Sequence, residues 1–171
     1  PTRELAIQVA EAFQKYAHHM KGFHVLPIYG GQDYSVQIRA LQRGVHVAVG
    51  TPGRVMDHIR RGTLVLDSLS TLVLDEGDEM LRMGFIDDVK KIERLCPENK
   101  QVLLFSATMP FKVVQLANTI LKNPVKVEVT PTSSAAKGVH QLLYYTPKPQ
   151  KMELCLHLLR NTIKGNILIF R

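Results

Sequence analysis

Residues 72–80 read Leu-Val-Leu-Asp-Glu-Gly-Asp-Glu-Met, a short apolar run that leads directly into acidic side chains. Residues 103–108 read Leu-Leu-Phe-Ser-Ala-Thr, a second apolar run, which is followed by hydroxyl side chains instead of acids. Short apolar runs bounded by polar residues are typical of strands that are buried inside a sheet. We therefore expect neighbouring strands that carry carboxylates and hydroxyls to a shared edge.

Strand-like and helix-like patterns alternate on both sides of these two runs. Helices are predicted at residues 4–20, 34–43, 54–61, 86–95 and 110–121, and strands at 23–29, 45–49, 72–74, 102–105 and 125–129. Such alternation predicts an α/β fold in which helices cover both faces of a mainly parallel sheet. Ligands of these sheets bind beyond the carboxyl ends of the strands, so one edge of one sheet is expected to collect the candidate residues.

The composition changes at residues 130–138, which read Thr-Pro-Thr-Ser-Ser-Ala-Ala-Lys-Gly. Small, polar and turn-forming residues without periodicity indicate a linker. Strand, helix and strand patterns then follow at 139–145, 151–162 and 166–170. We therefore predict a first domain over 1–129, a linker over 130–138, and the first βαβ unit of a second domain over 139–171.

The overall composition narrows the class of protein. Hydrophobic residues make up 45% and charged residues 22% of the 171 residues, a balance that is typical of globular domains. The net charge of +7 favours a polyanionic partner. Cys96 and Cys155 form neither a CxxC motif nor a zinc spacing, which indicates reduced thiols in a cytoplasmic protein. No apolar run approaches the ~20 residues that span a bilayer, so no membrane segment is expected.

The acids that follow residue 74 can support metal and phosphate chemistry. Asp75 closes the strand and is suited to hold Mg²⁺, which neutralises the charge of nucleotide phosphates. Glu76 is suited to act as a general base that orients an attacking water, whereas Asp78 is placed to bind hydroxyls. A simpler interpretation is also open, since acidic residues are favoured at the N-terminus of any helix by the helix dipole.

Taken in order, several segments resemble the DEAD-box ATP-dependent RNA helicases of superfamily 2. These segments are Pro1-Thr2-Arg3-Glu4-Leu5-Ala6, Gly30-Gly31, Thr51-Pro52-Gly53-Arg54, the acidic stretch 75–78 and Ser106-Ala107-Thr108. The amino-acid sequence of residues 29–83 resembles the bacterial members of this family most. The resemblance implies RecA-like domains, ATP and Mg²⁺ as cofactors, no other metal, and hydrolysis that is coupled to local unwinding of RNA duplexes.

The resemblance also implies roles for individual residues. The catalytic acids are Asp75, Glu76 and Asp78, with Mg²⁺ on Asp75, and the coupling hydroxyls that pair with Asp78 are Ser106 and Thr108. The contacts to the RNA backbone fall on Thr2, Arg3, Gly30, Gly31, Thr51, Gly53 and Arg54. Glycine admits a phosphate to backbone N–H groups, helix N-termini attract phosphates, and arginine binds them through two hydrogen bonds. RNA binding is therefore expected to be independent of the RNA sequence and to weaken as the salt concentration rises. Taken singly, each of these glycine and threonine segments is more simply interpreted as an ordinary turn.

The chain also departs from the family pattern. Gly77 stands where the family has alanine, and glycine costs up to about 1 kcal/mol relative to alanine inside a helix, so looser positioning of the adjacent acids is expected. The sequence contains no Gly-Lys-Thr or Gly-Lys-Ser phosphate loop, no upstream glutamine motif and no arginine-rich motif. We therefore expect a fragment that lacks the phosphate loop and most of the second domain, and that does not hydrolyse ATP by itself.

Two alternatives to a helicase remain open from the residues alone. A non-catalytic RNA-binding module would fit both Gly77 and the missing motifs. A magnesium-dependent phosphohydrolase with an aspartyl nucleophile usually needs a further acid two residues after the nucleophile, and Gly77 occupies that position. The residue patterns identify neither an RNA target nor a protein partner.

Overall fold

The computed structural model describes residues 1–129 and 138–170. The chain divides into two compact units, Pro1–Glu128 and Val129–Arg171, and each is described by itself. The predicted linker over 130–138 lies outside the described residues except for Gly138. The proposed domain organisation therefore stays a prediction.

The first unit contains the alternating helices and strands that the sequence predicts for residues 1–121, together with one short helix, Gly77–Arg82, that the sequence did not predict. Its elements are α1 Arg3–Tyr16, β1 Val25–Ile28, α2 Tyr34–Gln42, β2 Val47–Gly50, α3 Pro52–Arg60, β3 Thr71–Leu74, α4 Gly77–Arg82, α5 Ile86–Leu95, β4 Gln101–Leu104 and α6 Phe111–Ile120. The α/β class is confirmed. The first helix ends earlier than the sequence predicts, because the backbone N–H of Met20 bonds to the carbonyl of Ala17 and closes a turn instead of a helical step.

The strands pair in parallel, but they do not form a single sheet. β1 pairs with β2 from Val25–Val47 to Ile28–Gly50, and β3 pairs with β4 from Thr71–Gln101 to Leu74–Leu104. Within the described residues each strand has one hydrogen-bonded neighbour, which gives two separate two-stranded sheets. The expectation that one edge of one sheet collects every candidate residue is therefore wrong. The glycine and threonine turns follow the first sheet, and the acids and hydroxyls follow the second.

Three of the predicted strands are not formed in the described residues. The segments 125–129, 139–145 and 166–170 are irregular. Side chains on them are open to solvent, and Val125, Val127 and Val129 are 88%, 80% and 92% exposed. Strands need hydrogen-bonded neighbours, and none of these segments pairs with another described segment. Among the described residues of the second unit, the predicted helix is present as α7 Lys151–Asn161, and a short 3-10 helix at Lys148–Gln150 precedes it.

Two apolar clusters are buried in the first unit, and the larger one fixes the end of β3. The larger cluster joins β3 to α4, α5 and α6 through the buried side chains of Leu74, Met80, Val89, Leu116 and Ile120. Each such side chain contributes about 1.5–3 kcal/mol on burial. Leu74 immediately precedes the acidic stretch and Met80 follows it on α4. Packing therefore holds both ends of the segment that carries the candidate catalytic acids.

The smaller cluster lies between α3 and α5. It contains the buried side chains of Met56, Ile92 and Cys96. Burial raises the pKa of the Cys96 thiol, so this thiol stays protonated and unreactive at neutral pH. In residues 1–129 and 138–170, no helix combines the length and the apolar character needed to cross a membrane.

Candidate active site

A strained turn links β3 to α4. Asp75 follows the last residue of β3, and its Oδ1 atom accepts a hydrogen bond from the backbone N–H of Glu76 at 2.9 Å. Glu76 adopts the left-handed conformation, with φ 53° and ψ 55°. This conformation costs a non-glycine residue on the order of 1–3 kcal/mol, and such residues cluster at functional sites. The strained backbone of Glu76 therefore indicates a functional turn. The sequence patterns did not predict this conformation.

Asp78 connects the first turn of α4 to the loop after β4. Its Oδ2 atom accepts hydrogen bonds from the backbone N–H of Thr108 at 2.9 Å and from the Thr108 hydroxyl at 2.6 Å. The backbone N–H of Asp78 donates to Ser106 Oγ at 3.0 Å, and the Ser106 hydroxyl donates to the Thr108 carbonyl at 2.6 Å. The structure thus brings together Asp78, Ser106 and Thr108, as the sequence predicts.

These hydrogen bonds control the charge of Asp78. The Thr108 hydroxyl holds the pKa of the Asp78 carboxyl below its ordinary value of 3.8, with further lowering from the Ser106 side chain and opposition from burial. Asp78 is therefore ionised at neutral pH. Because its folded-state pKa is depressed, this carboxylate stabilises the fold above the ordinary pKa, and the contribution is lost as pH falls through the lowered value.

Gly77 lies where α4 approaches β4 most closely. Its backbone N–H donates to the carbonyl oxygen of Phe105 at 3.0 Å. A Cβ atom placed at Gly77 would lie 3.1 Å from Cδ1 of Leu104 and 3.5 Å from the Phe105 carbonyl oxygen. The nearest of these atoms is the end of a flexible side chain, so a shift of a few tenths of an ångström in Leu104 is enough to admit a methyl group.

Replacing Gly77 with alanine is expected to raise the free energy of unfolding by about 0.5–1 kcal/mol. Alanine restricts the unfolded chain, and the helical backbone of Gly77 accepts it without strain. Urea denaturation of the 171-residue chain measures the change. Gly84→Ala is the matched control, because Gly84 has φ 79° and an alanine there is expected to destabilise. A Gly77→Ala variant that is less stable than the parent would show that Leu104 cannot move aside.

A second group of candidate residues surrounds the turn after β1. Thr2 caps α1, since its Oγ1 atom accepts from the backbone N–H of Leu5 at 3.2 Å. The guanidinium of Arg3 lies 4.9 Å from the centre of the Tyr29 ring. Gly31 has φ 81°, and Nη1 of Arg3 lies 3.8 Å from the position that a Cβ of Gly31 would occupy. The first turn of α1 and the exposed Gly30–Gly31 turn therefore meet.

The turn after β2 positions the remaining candidates at the start of α3. The backbone N–H of Thr51 donates to the carbonyl of Ile28 at 2.9 Å, and the Thr51 side chain makes no capping hydrogen bond to α3. Gly53 is the second residue of the helix and its backbone has open space around it. These features leave the first turn of α3 accessible to a phosphate, which helix N-termini favour.

Arg54 is held by neighbours from α2 and from the loop before that helix. Its Nη1 atom donates to the carbonyl oxygen of Gln32 at 3.1 Å and to Oε1 of Gln37 at 3.2 Å. The guanidinium also lies over the ring of Tyr34, 3.9 Å from its centre. The structure thus fixes the position of this arginine before any ligand binds.

Sequence reasoning missed Gln37 and His58, which are both completely buried beside Arg54. Each occupies a position on its helix that faces the interior. The signal in the sequence was a polar residue at a core position of a predicted helix. The hydrogen-bond partner of that residue lies on another helix, and the periodicity of a single helix does not reveal it.

The acids of this site can be tested against the requirements of magnesium. In the described ranges, no group of three or more His, Cys, Asp or Glu residues converges as a metal cage. Mg²⁺ is usually held by one or two carboxylates together with substrate phosphates and water, so a single exposed carboxylate such as Asp75 fits that kind of site. Magnesium on Asp75 stays a proposal.

Comparison with known proteins gives a consistent family. The family model for the DEAD/DEAH box helicase matches residues 1–117. The ATP-dependent RNA helicase DeaD of Buchnera aphidicola (subsp. Schizaphis graminum) is 51% identical over 141 residues, which cover 82% of this chain and 24% of that protein. The DeaD helicase of Escherichia coli K12 is also 51% identical over 141 residues, covering 82% of this chain and 22% of that protein. The chain spans about a quarter of the length of these curated relatives.

Solved structures support the same fold. The crystal structure of a DEAD box protein from the hyperthermophile Methanococcus jannaschii matches with a TM-score of 0.68 and 49% identity, covering 72% of this chain and 33% of that one. A hypothetical ATP-dependent RNA helicase from Sulfolobus tokodaii matches with a TM-score of 0.67 and 37% identity, covering 72% of this chain and 37% of that one. The predicted RecA-like α/β fold is confirmed.

Proposed function

Because this chain belongs to the DEAD/DEAH box helicase family, we propose that it is part of an ATP-dependent RNA helicase that couples Mg-ATP hydrolysis to local unwinding of RNA duplexes. The observation that supports this proposal best is the hydrogen bonding between Asp78 and the loop of Ser106 and Thr108. It joins an acidic segment suited to phosphate chemistry to a second strand end of the same sheet. Membership of this family leaves the aspartyl-nucleophile phosphohydrolase without support.

The acids after β3 supply the proposed hydrolytic chemistry. Bound through Asp75, Mg²⁺ would neutralise charge on the nucleotide phosphates. Glu76 orients the attacking water and accepts its proton, which requires a carboxylate in a fixed place. The left-handed backbone of Glu76 and the packing of Leu74 before it supply that fixed place. Both ATP and Mg²⁺ are therefore proposed cofactors.

The pairing of Asp78 with Thr108 supports a coupling role. A carboxylate that accepts both the N–H and the hydroxyl of one residue is held in a single orientation. Any shift of α4 on nucleotide binding is therefore transmitted to the loop after β4, and a shift of that loop reaches the catalytic turn. Ser106 adds a second connection through the N–H of Asp78. We propose that this connection links the phosphate state to RNA binding.

The start of α1 and the turns after β1 and β2 form the proposed RNA surface. It comprises Thr2, Arg3, Gly30, Gly31, Thr51, Gly53 and Arg54. Arg3 and Arg54 bring positive charge beside exposed glycine backbone, an arrangement suited to phosphates and not to base edges. Binding is therefore proposed to be independent of RNA sequence. A cytoplasmic location is also proposed, and the free thiols of Cys96 and Cys155 agree with it.

The salt dependence of RNA binding tests the proposed surface. Binding of fluorescent single-stranded RNA by the natural gene product that contains this sequence is measured at several salt concentrations. Each of Arg3→Ala and Arg54→Ala is expected to weaken binding and to reduce the slope of log affinity against log salt by about 0.7. Arg94→Ala, an exposed arginine on α5, serves as the matched control. Unchanged slopes in both test variants would contradict the proposed RNA contacts.

The 171-residue chain is proposed to be inactive as an ATPase when tested alone. Its sequence contains no Gly-Lys-Thr or Gly-Lys-Ser loop, and backbone N–H groups of such a loop are what cradle nucleotide phosphates. The acids that follow β3 supply only one side of a nucleotide site. Hydrolysis by the purified chain with ATP, Mg²⁺ and RNA would overturn this part of the proposal.

A further inference from the structure

A buried polar network lies beneath the proposed RNA surface. Gln37 on α2 and His58 on α3 are both 0% exposed. Oε1 of Gln37 lies 2.8 Å from Nε2 of His58 and 3.2 Å from Nη1 of Arg54. The Nε2 atom of Gln37 donates to the carbonyl oxygen of Tyr29 at 3.1 Å. One amide thus contacts three residues, two of them on α3 and one directly after β1.

The donors and acceptors of this network can be assigned from their partners. Arg54 can only donate, so the Gln37 atom that faces it must be the amide oxygen. His58 must then carry its proton on Nε2 and donate to the same oxygen. Nδ1 of His58 lies 2.8 Å from the Thr63 hydroxyl and is left as an acceptor, and the single proton of that hydroxyl is shared between Nδ1 and the His58 carbonyl oxygen, which lies 3.0 Å away. Burial lowers the pKa of His58, which supports this neutral form.

The network fixes the two elements of the proposed RNA surface against each other. Gln37 bonds to Tyr29 on one side of the Gly30–Gly31 turn, and its Nε2 atom donates to Oε1 of Gln32 on the other side at 2.7 Å. The same side chain bonds to the guanidinium of Arg54. The glycine turn and the arginine are therefore joined through one buried amide. His58 holds that amide in place through the contact of its Nε2 atom with the amide oxygen.

We propose that Gln37 and His58 are positioning residues for RNA-backbone binding. They hold the Arg54 guanidinium and the Gly30–Gly31 turn in one arrangement before RNA arrives, and neither side chain reaches the surface. A site that is ordered in advance loses less conformational entropy on binding, so affinity depends on residues that do not touch the ligand. This inference rests on the proposed role of Arg54 in RNA binding.

Gln37→Met tests the inference, because methionine keeps the length of the side chain and removes both hydrogen-bonding atoms. RNA affinity of the natural gene product is measured by fluorescence anisotropy with single-stranded RNA. We expect Gln37→Met to bind about tenfold more weakly, similar to Arg54→Ala. Because Gln37 acts through Arg54, the double variant is expected to bind no more weakly than Arg54→Ala does. A role in stability alone predicts an unchanged affinity of the folded protein, or additive losses.

His58 provides a second test that does not depend on the folding of the Gln37 variant. His58→Gln places an amide nitrogen near the position of Nε2, and it is expected to retain RNA affinity within about twofold. His58→Leu removes the donor and is expected to weaken binding severalfold. Thr119→Val is the control, since the Thr119 hydroxyl donates to a carbonyl within α6, and its RNA affinity is expected to equal that of the parent.

RNA-stimulated ATP hydrolysis separates positioning from a general defect. In Gln37→Met and His58→Leu, the RNA concentration for half-maximal stimulation is expected to rise, while the rate at saturating RNA stays unchanged. Normal RNA binding by Arg54→Ala would overturn both the role of Arg54 and the inference. Weak binding by Arg54→Ala together with normal binding by folded Gln37→Met and His58→Leu would overturn the inference alone.

Discussion

Replacing Glu76 with glutamine is expected to lower the rate of ATP hydrolysis by the natural gene product about 10²- to 10⁴-fold. The amide keeps the size of the side chain but cannot accept a proton from the attacking water. Glu76 makes no capping hydrogen bond to α4 through its side chain, so the turn does not depend on its charge. The rate is measured at saturating ATP and RNA, and RNA affinity is expected to be unchanged.

Glu79→Gln is the matched control for this substitution. Glu79 lies on the same helix and its carboxylate pairs with Arg82 on the surface. Exposed ion pairs of this kind contribute little to stability, so activity within about twofold of the parent is expected. Equal losses in both variants, or nearly full activity in Glu76→Gln, would remove Glu76 from the proposed chemistry.

Replacing Thr108 with valine is expected to reduce the stimulation of ATP hydrolysis by RNA about tenfold or more, while hydrolysis without RNA changes little. Valine keeps the shape of threonine and removes the hydroxyl that donates to Asp78 at 2.6 Å. The backbone N–H of Thr108 still reaches the carboxylate, so the loop stays near α4. The measurement is the ratio of rates with and without saturating RNA.

The same variant has an expected effect on acid stability. The Thr108 hydroxyl is the main cause of the low pKa of Asp78, so its removal raises that pKa toward the ordinary value of 3.8. The stabilisation by ionised Asp78 is then smaller, and unfolding on acidification begins at a higher pH. Thr119→Val is the control, since the Thr119 hydroxyl donates only to a carbonyl within α6.

An unchanged RNA stimulation ratio in Thr108→Val would contradict the coupling role.

The sequence was sufficient to predict which strand ends meet at the acidic site. Two apolar runs that end in polar residues belong to parallel strands, and the carboxyl ends of adjacent parallel strands lie side by side. In the structure Leu74 is aligned with Leu104, which places Asp75 beside Phe105 and brings α4 against the Ser106 loop. The chemistry of the residues and the direction of the strands therefore determined this part of the site.

Other features depend on partners that local patterns do not specify. The left-handed conformation of Glu76 accompanies the hydrogen bond from the backbone N–H of Gly77 to the carbonyl oxygen of Phe105, which is distant in the sequence. Valines at 125–129 have high strand propensity, yet they form no strand because the described residues offer no neighbour to pair with. The contact of Gln37 with His58 joins two helices that are separated by a strand, and helical periodicity carries no information about it.

The proposed coupling of ATP hydrolysis to RNA binding is measured by the response of the hydrolysis rate to added RNA. With Mg-ATP, the natural gene product is expected to hydrolyse ATP at least about tenfold faster in the presence of single-stranded RNA than in its absence. DNA of the same length is expected to stimulate less, because it lacks the 2′-hydroxyl. Salt-dependent RNA binding without any ATP hydrolysis, at any RNA concentration, would contradict the account and identify the protein as a non-catalytic RNA-binding module.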